Sequence, residues 1–205
     1  MQQLIKEGFS SLKVLSPIAD DRRHEFKLNL DFRYGAGGKY NGPTWTRKVK
    51  DENGEERAKT VNLLENFGVN INAVAQSGRP YTKALSNMQS TIVGSYRGAR
   101  LPWGFYIDAV ADKMWTIKVG KKERETYLRA AVAVSNLFDI RNILGVYSVT
   151  GNPDDNGYLT DPETQSLINS YLNPDSYRDL YAIMLMSGWN YSSPRVIRLE
   201  LTYQF

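Results

Sequence analysis

Five stretches of this chain alternate apolar and polar residues with a period of two, and that period constrains the fold more than any other feature. From His24 to Tyr34, Phe26, Leu28, Leu30, Phe32 and Tyr34 fall on one face. Glu25, Lys27, Asn29, Asp31 and Arg33 fall on the other, without an exception. Such alternation marks a β-strand with one apolar and one wet side. The second run sets Phe67, Val69, Ile71, Ala73 and Ala75 against Gly68, Asn70, Asn72, Val74 and Gln76. The third sets Phe105, Ile107, Ala109 and Ala111 against Tyr106, Asp108, Val110 and Asp112. The fourth, from Tyr127 to Ser135, sets Leu128, Ala130, Val132 and Val134 against Arg129, Ala131, Ala133 and Ser135. The fifth sets Ile197, Leu199, Leu201, Tyr203 and Phe205 against Arg198, Glu200, Thr202 and Gln204. The expected class is all-β and antiparallel.

Two architectures use such strands: a soluble sandwich with one wet face, or a membrane barrel with a wet lumen. The runs approach the ~9–11 residues that cross a bilayer at a tilt and exceed the ~5–6 usual in soluble sheets. Charges stand opposite unbroken apolar ladders, as where lipid lies outside and water inside. Aromatics gather near run ends (Tyr34, Trp103, Phe105, Trp115, Tyr147, Tyr203, Phe205), where an interfacial girdle sits. A mean hydropathy of -0.46 and the shortness of the longest apolar run, Ala130 to Val134, exclude a helical membrane protein. They leave a transmembrane β-barrel open. A soluble sandwich with tyrosine-rich edges also remains open.

Composition removes other classes. With 41% hydrophobic and 23% charged residues the chain is not disordered. The net charge of +4 is spread along the chain, so no nucleic-acid partner is expected. The absence of cysteine excludes disulfides, thiol catalysis and the usual structural zinc sites. Met1 to Glu7 has no signal-peptide core. That reads as cytoplasmic if taken alone, and equally as a chain starting inside a longer protein.

Connections alternate in length. Val119 to Glu123 is a short charged turn, whereas Gly151 to Ser193 is long. Outer-membrane barrels pair short periplasmic turns with long external loops. A periplasmic C-terminus then puts Ser77 to Leu101 outside too. Gly35 to Leu64 becomes periplasmic and is long for that side; its middle, Lys48 to Lys59, reads as a solvated excursion. In the last loop Asp161-Pro162 predicts a cap and first helical position. Helices are expected over Gln165 to Leu172 and Ser176 to Met186, the second ended by Gly188. Its stripe of Tyr177, Leu180, Tyr181, Met184 and Leu185 is expected to pack onto a barrel mouth. Phe9 to Leu15 is a ragged candidate for a sixth strand.

Several phrases carry a resemblance. Pro194 to Phe205 (PRVIRLELTYQF) resembles the last strand of TonB-dependent outer-membrane receptors of Bacteroidetes type, and Asn136-Leu137-Phe138-Asp139 resembles their penultimate-strand phrase. Ser77 to Thr82, Asp21 to His24, Tyr40 to Pro43 and Thr150 to Asp155 are similar to further phrases of the group. The resemblance spans nearly the whole chain. It implies that residues 1–205 are the C-terminal portion of a 22-stranded barrel in the outer membrane, without the N-terminal plug domain. It implies energy-coupled uptake of a large nutrient (siderophore, vitamin or glycan), with the TonB complex engaged through a missing N-terminal region. No enzyme activity and no cofactor are expected. The alternatives are a small outer-membrane barrel acting as adhesin or assembly factor, or a soluble β-sandwich carbohydrate-binding module.

Leu201, Tyr203 and Phe205 present alternating apolar side chains at a terminal strand, able to add to a sheet by β-augmentation; in the family this pattern resembles the signal read by the barrel-assembly machinery. A terminal aromatic also serves as a plain interfacial anchor. Asp108, Asp112 and Arg129 are expected to line a wet lumen, the aspartates partnered by Lys or Arg from neighbouring strands, such as Arg129. The two aspartates, four apart on a strand and so ~13 Å apart, are too distant for a glycosidase pair. Asn152, Asp154, Asn156 and Glu163, with Gly157, have calcium-loop spacing, but lack an entering helix and the usual first Asp. The competing reading is an Asp/Asn/Gly turn. His24, beside Arg22 and Arg23, has no nucleophile near in sequence and suits a structural polar role. Gly35-Ala36-Gly37-Gly38 opens no helix expected to cradle phosphate. Tyr81, Tyr96, Trp189 and Tyr191 are loop aromatics able to stack on a ligand or on the rim.

Overall fold

A computed structural model describes residues 16–50, 56–85, 96–120, 124–186 and 188–205. The protein is rich in β-strand with two short α-helices. Among the described residues no helix is long and apolar enough to cross a membrane. The chain divides into two compact units. One, built from Phe26–Ala75, Phe105–Arg141 and Ser193–Phe205, is a sheet. The other, built from Met1–Glu25, Gln76–Gly104 and Asn142–Ser192, is made of the connections that lead into the first strand, join the second run to the third and join the fourth to the fifth.

The sheet unit contains the five alternating runs as neighbours. Its strands are β1 (Glu25–Arg33), β4 (Phe67–Gln76), β7 (Gly104–Val119), β8 (Arg124–Ser135) and β9 (Val196–Gln204), hydrogen-bonded in the order β1-β4-β7-β8-β9. β7 and β8 are antiparallel with Ala111 opposite Val132 and Trp115 opposite Leu128. β8 and β9 are antiparallel with Ala130 opposite Leu201 and Val132 opposite Leu199. Tyr34 N donates to Phe67 O while Asn29 and Asn70 join side chains, so β1 and β4 also run oppositely. Met114 N donates to Asn66 O, and Ala73 and Ala75 lie beside Phe105 and Ile107, which makes β4 and β7 antiparallel as well. The registers therefore bring all the apolar ladders to one face, as a period-two pattern requires.

That face is bare. Phe26, Leu28, Leu30 and Phe32 on β1 are exposed, as are Ile197, Leu199 and Leu201 on β9, where Leu199 reaches 81%. Ala131, on the opposite face, is the sheet unit's one buried hydrophobic side chain among the described residues. β7 runs seven residues beyond the expected Asp112 end, because Trp115, Ile117 and Val119 resume its apolar ladder. Lys113 interrupts that ladder and hid the continuation. β1 and β9 are the edges of this sheet among the described residues.

The residues between Lys48 and Lys59 whose exposure is described are solvated, as expected, yet the strands there are not a shapeless excursion. β2 (Thr44–Lys50) and β3 (Glu56–Asn62) form an antiparallel hairpin, Trp45 opposite Val61 and Thr46 opposite Thr60. Aromatic and β-branched cross-strand pairs hold it, with Lys48 Nζ 3.2 Å from Glu56 Oε2. Its run of charges masked a strand signal carried by Trp45, Val49, Thr60 and Val61.

In the loop unit, a two-residue ladder pairs β5 (Pro80–Tyr81) with β6 (Ala99–Arg100). Three arginines hold the segment entering β1: Arg79 meets Asp20 at 3.3 Å, Arg97 donates to Pro17 O at 2.8 Å, and Arg100 binds both the carbonyl and the carboxylate of Asp21. Helix α1 (Pro162–Asn169) starts at Pro162, the first helical position that Asp161-Pro162 predicts and three residues before Gln165, and α2 (Pro174–Leu185) starts two residues before the expected Ser176, also with Pro at its first turn. Proline fits there because its missing N–H has no helical partner. Helix α1 also stops earlier, at Asn169, with Ser170 as its C-cap. The stripe on α2 divides. Leu185 is buried, whereas Leu180 and Met184 are exposed at 69% and 68%. Phe9 to Leu15 lies outside the described residues.

Candidate functional site

On the polar face of the sheet, Arg33 of β1 reaches across β4 to Asp112 of β7. Its Nη2 lies 2.8 Å from Asp112 Oδ1 and its Nη1 3.1 Å from Oδ2, a two-bond fork. Arg129 of β8 adds Nε at 3.3 Å from Oδ2. Three strands thus converge on a carboxylate whose side chain is only 8% exposed. The residue crossed is Gly68. A Cβ there would sit 2.5 Å from Arg33 Cζ, so only glycine lets the guanidinium lie over the strand. Asp112 and Arg129 are therefore brought together as expected. Arg33 and Gly68 were not singled out from the sequence, although a glycine inside a regular strand signals a close approach.

Asp108 does not join this cluster. Its Oδ1 accepts from Asn136 N at 2.9 Å, at the exit of β8. Asn136 has φ 54 and Asp139 φ 55, left-handed conformations that asparagine and aspartate tolerate better than most residues. The Asn136 amide donates to Ile140 O and Ser193 O, both at 3.0 Å, while its Oδ1 accepts from Ile140 N at 2.8 Å. Asp139 Oδ1 accepts from Arg195 N at 2.8 Å. The phrase Asn136-Leu137-Phe138-Asp139 is thus a turn that ends β8 and fixes the start of β9.

On β9, Leu201 stands opposite Ala130 and Tyr203 opposite Leu128. Phe205 lies just past the strand and is 98% exposed; its ring centroid is 6.2 Å from that of Tyr203. The three form one continuous apolar line on the free edge strand.

The calcium-spaced residues serve a turn. Asn152 Oδ1 accepts from Asp154 N at 2.9 Å, and Asn156 Oδ1 accepts from Tyr158 N at 3.0 Å. Asp154 hydrogen-bonds Tyr191 through its carboxylate, and Asn156 Nδ2 donates to Tyr181 Oη. Glu163 lies in the first turn of α1. No group of three or more His, Cys, Asp or Glu suited to a metal occurs among the described residues. Asp161 caps α1 by accepting from Thr164 N at 3.0 Å, and this bond holds its carboxyl below the usual aspartate range. His24 N donates to Ser77 Oγ, and its ring stacks on Trp103 with centroids 6.1 Å apart, in keeping with a structural role.

Among the loop aromatics, Trp189 and Tyr96 are exposed, whereas Tyr191 is held by Asp154 and Tyr81 Oη lies close to Gly151. Tyr158, Tyr171, Tyr177 and Tyr181 form a cluster with successive centroids 4.8 to 6.0 Å apart, of which only Tyr177 and Tyr181 stood out in the sequence pattern. The Tyr177 phenol is pushed up to about 12, first by its hydrogen bond with Tyr158. Comparison of the chain with known families, curated proteins and solved structures gives no match.

Proposed function

We propose that the chain is the C-terminal part of the β-barrel of a TonB-dependent outer-membrane receptor, which takes up a large nutrient by energy coupling. The observation that carries this reading is the bare apolar face of the five-stranded sheet. Soluble monomers rarely expose an apolar patch beyond a few hundred Å². Here exposed ladders run from Phe26 on β1 to Leu201 on β9. On β7 the aromatic levels Phe105 and Trp115 are about ten residues apart, which at ~3.3 Å per residue and a ~45° tilt gives roughly 23 Å. An outer-membrane apolar band is ~25 Å tall. The opposite face, with Arg33, Asp112 and Arg129, suits a water-filled lumen. The turn built by Asn136 and Asp139 gives a physical reason for one phrase on which the resemblance rests.

In this reading the partners are outer-membrane lipid, the barrel-assembly machinery through Leu201, Tyr203 and Phe205, the TonB complex through a plug-bearing N-terminal region, and a nutrient ligand. Flotation tests the membrane part. The full chain, diluted from denaturant into phospholipid vesicles, is expected to float with them and resist protease. A monodisperse, folded preparation without detergent overturns the barrel reading and favours the soluble carbohydrate-binding sandwich. An in-frame plug domain encoded upstream separates the receptor from a small adhesin or assembly barrel.

A further inference from the structure

We propose that the apolar face of the sheet carries a seat for one glycerophospholipid, its acyl chain in a furrow over Ala111 and Ala130 and its phosphate against the Lys113 amine. The inference rests on the membrane reading above and assigns that face a specific ligand.

The furrow comes from side-chain size. Phe67 of β4 walls one side, Leu199 and Leu201 of β9 the other, and Ala111 and Ala130 on the intervening strands leave the floor low. The resulting trough measures about 390 Å³ and is lined chiefly by apolar groups. It lies on the face where every ladder residue is directed outward, so a linear hydrocarbon chain is the shape and chemistry that fills it.

Lys113 fixes the headgroup. It stands directly opposite Ala130 in the β7–β8 register, at the border of the trough. It is the one charged residue in the β7 ladder from Phe105 to Val119. A lysine on a lipid-facing position is costly at mid-bilayer and is tolerated near the interface, where its stem lies along the apolar surface and its amine reaches polar groups. Its Nζ donates to Leu63 O at 2.7 Å and lies 6.0 Å from the Trp115 ring centroid. One of three ammonium protons is thus engaged, and among the described residues no carboxylate forms an ion pair with Lys113. A lipid phosphate satisfies both remaining needs. Lys113 sits toward the end of β7 that leads into the short turn. With the long connections outside, that end meets the periplasmic leaflet, which selects a phospholipid over an external glycolipid.

Photolabelling in vesicles tests the seat. The full chain is inserted with either phosphatidylglycerol or diacylglycerol carrying a diazirine in one acyl chain, and labelled peptides are mapped by mass spectrometry. The phosphate-bearing probe is expected to label the Ala111 and Ala130 peptides about fivefold more than the phosphate-free probe, the effect of one interfacial lysine. Lys113→Gln keeps a donor for Leu63 and should erase the difference. Ala130→Phe fills the trough and should move the label elsewhere. Equal labelling by both probes, or a difference that survives Lys113→Gln, overturns the seat while leaving the membrane reading intact. No label anywhere on the apolar face overturns the membrane reading itself.

Discussion

Arg33 and Asp112 meet across a strand to which neither belongs, over the bare backbone of Gly68. The pair joins β1 to β7 directly and adds a side-chain link to a sheet otherwise held by hydrogen bonds between neighbours. A side chain at position 68 must displace the guanidinium. Gly68→Val is expected to destabilise the sheet by about 1–3 kcal/mol, the range for losing hydrogen bonds to a charged group, despite the better strand propensity of valine. Combined with Arg33→Met, most of that cost should vanish, giving a coupling of about 1 kcal/mol or more. Denaturant unfolding of the four proteins in the same micelle or vesicle measures it. Additive effects would show that the contact is incidental.

The exit of β8 makes a second prediction. Asn136 supplies both a left-handed backbone and a side chain bonded to Ile140 and Ser193. Asn136→Gly keeps the first and removes the second; Asn136→Ala removes both. Alanine should therefore cost more than glycine, by about 1 kcal/mol, with a total near 2–3 kcal/mol. The reverse order in unfolding midpoints would contradict a role for backbone strain.

Helix α1 should respond to acid through its cap. The Thr164 N–H holds the Asp161 carboxyl below its ordinary value, so the folded state favours the ionised form. That contribution is fully present above the unfolded aspartate value of ~3.9 and is lost as pH falls through the lowered folded value. Carbon-13 shifts of α1 should report fraying only in that acid window. Asp161→Asn keeps an acceptor and should abolish the pH dependence. A titration unchanged by that substitution would place the acid transition elsewhere.

On the proposed function, deleting Phe205 should lower outer-membrane insertion of the full-length protein without changing synthesis. The residue lies past β9 and is almost wholly exposed, so its loss removes little folded-state packing. Fractionation with a surface-protease assay reads this. Unchanged insertion would leave Phe205 as an interfacial anchor only.

The five strands of the sheet were legible because alternation persisted wherever one face is apolar. Lys113 and the charges of Lys48 to Lys59 interrupted that signal and concealed half of β7 and the β2–β3 hairpin. The start of α1 was legible from Asp161-Pro162, whereas the first turn of α2 was placed two residues late, at Ser176. At the polar face, Asp112 and Arg129 could be paired because both lie on wet sides of strands that pairing rules make neighbours. Arg33 could not be added, since its reach depends on crossing Gly68, a fact of three-dimensional spacing. Asp108 shows the converse. It shares a strand face with Asp112, yet a turn amide at Asn136 takes its carboxylate.

The sheet order carries a parity. Successive strands in β1-β4-β7-β8-β9 reverse direction, so the two edge strands point the same way. They cannot close on each other as an antiparallel pair. Any all-antiparallel ring containing this sheet must receive an odd number of strands between β9 and β1. Counting strands in a completed assembly is then enough to detect a wrongly paired edge, before any atomic detail is known.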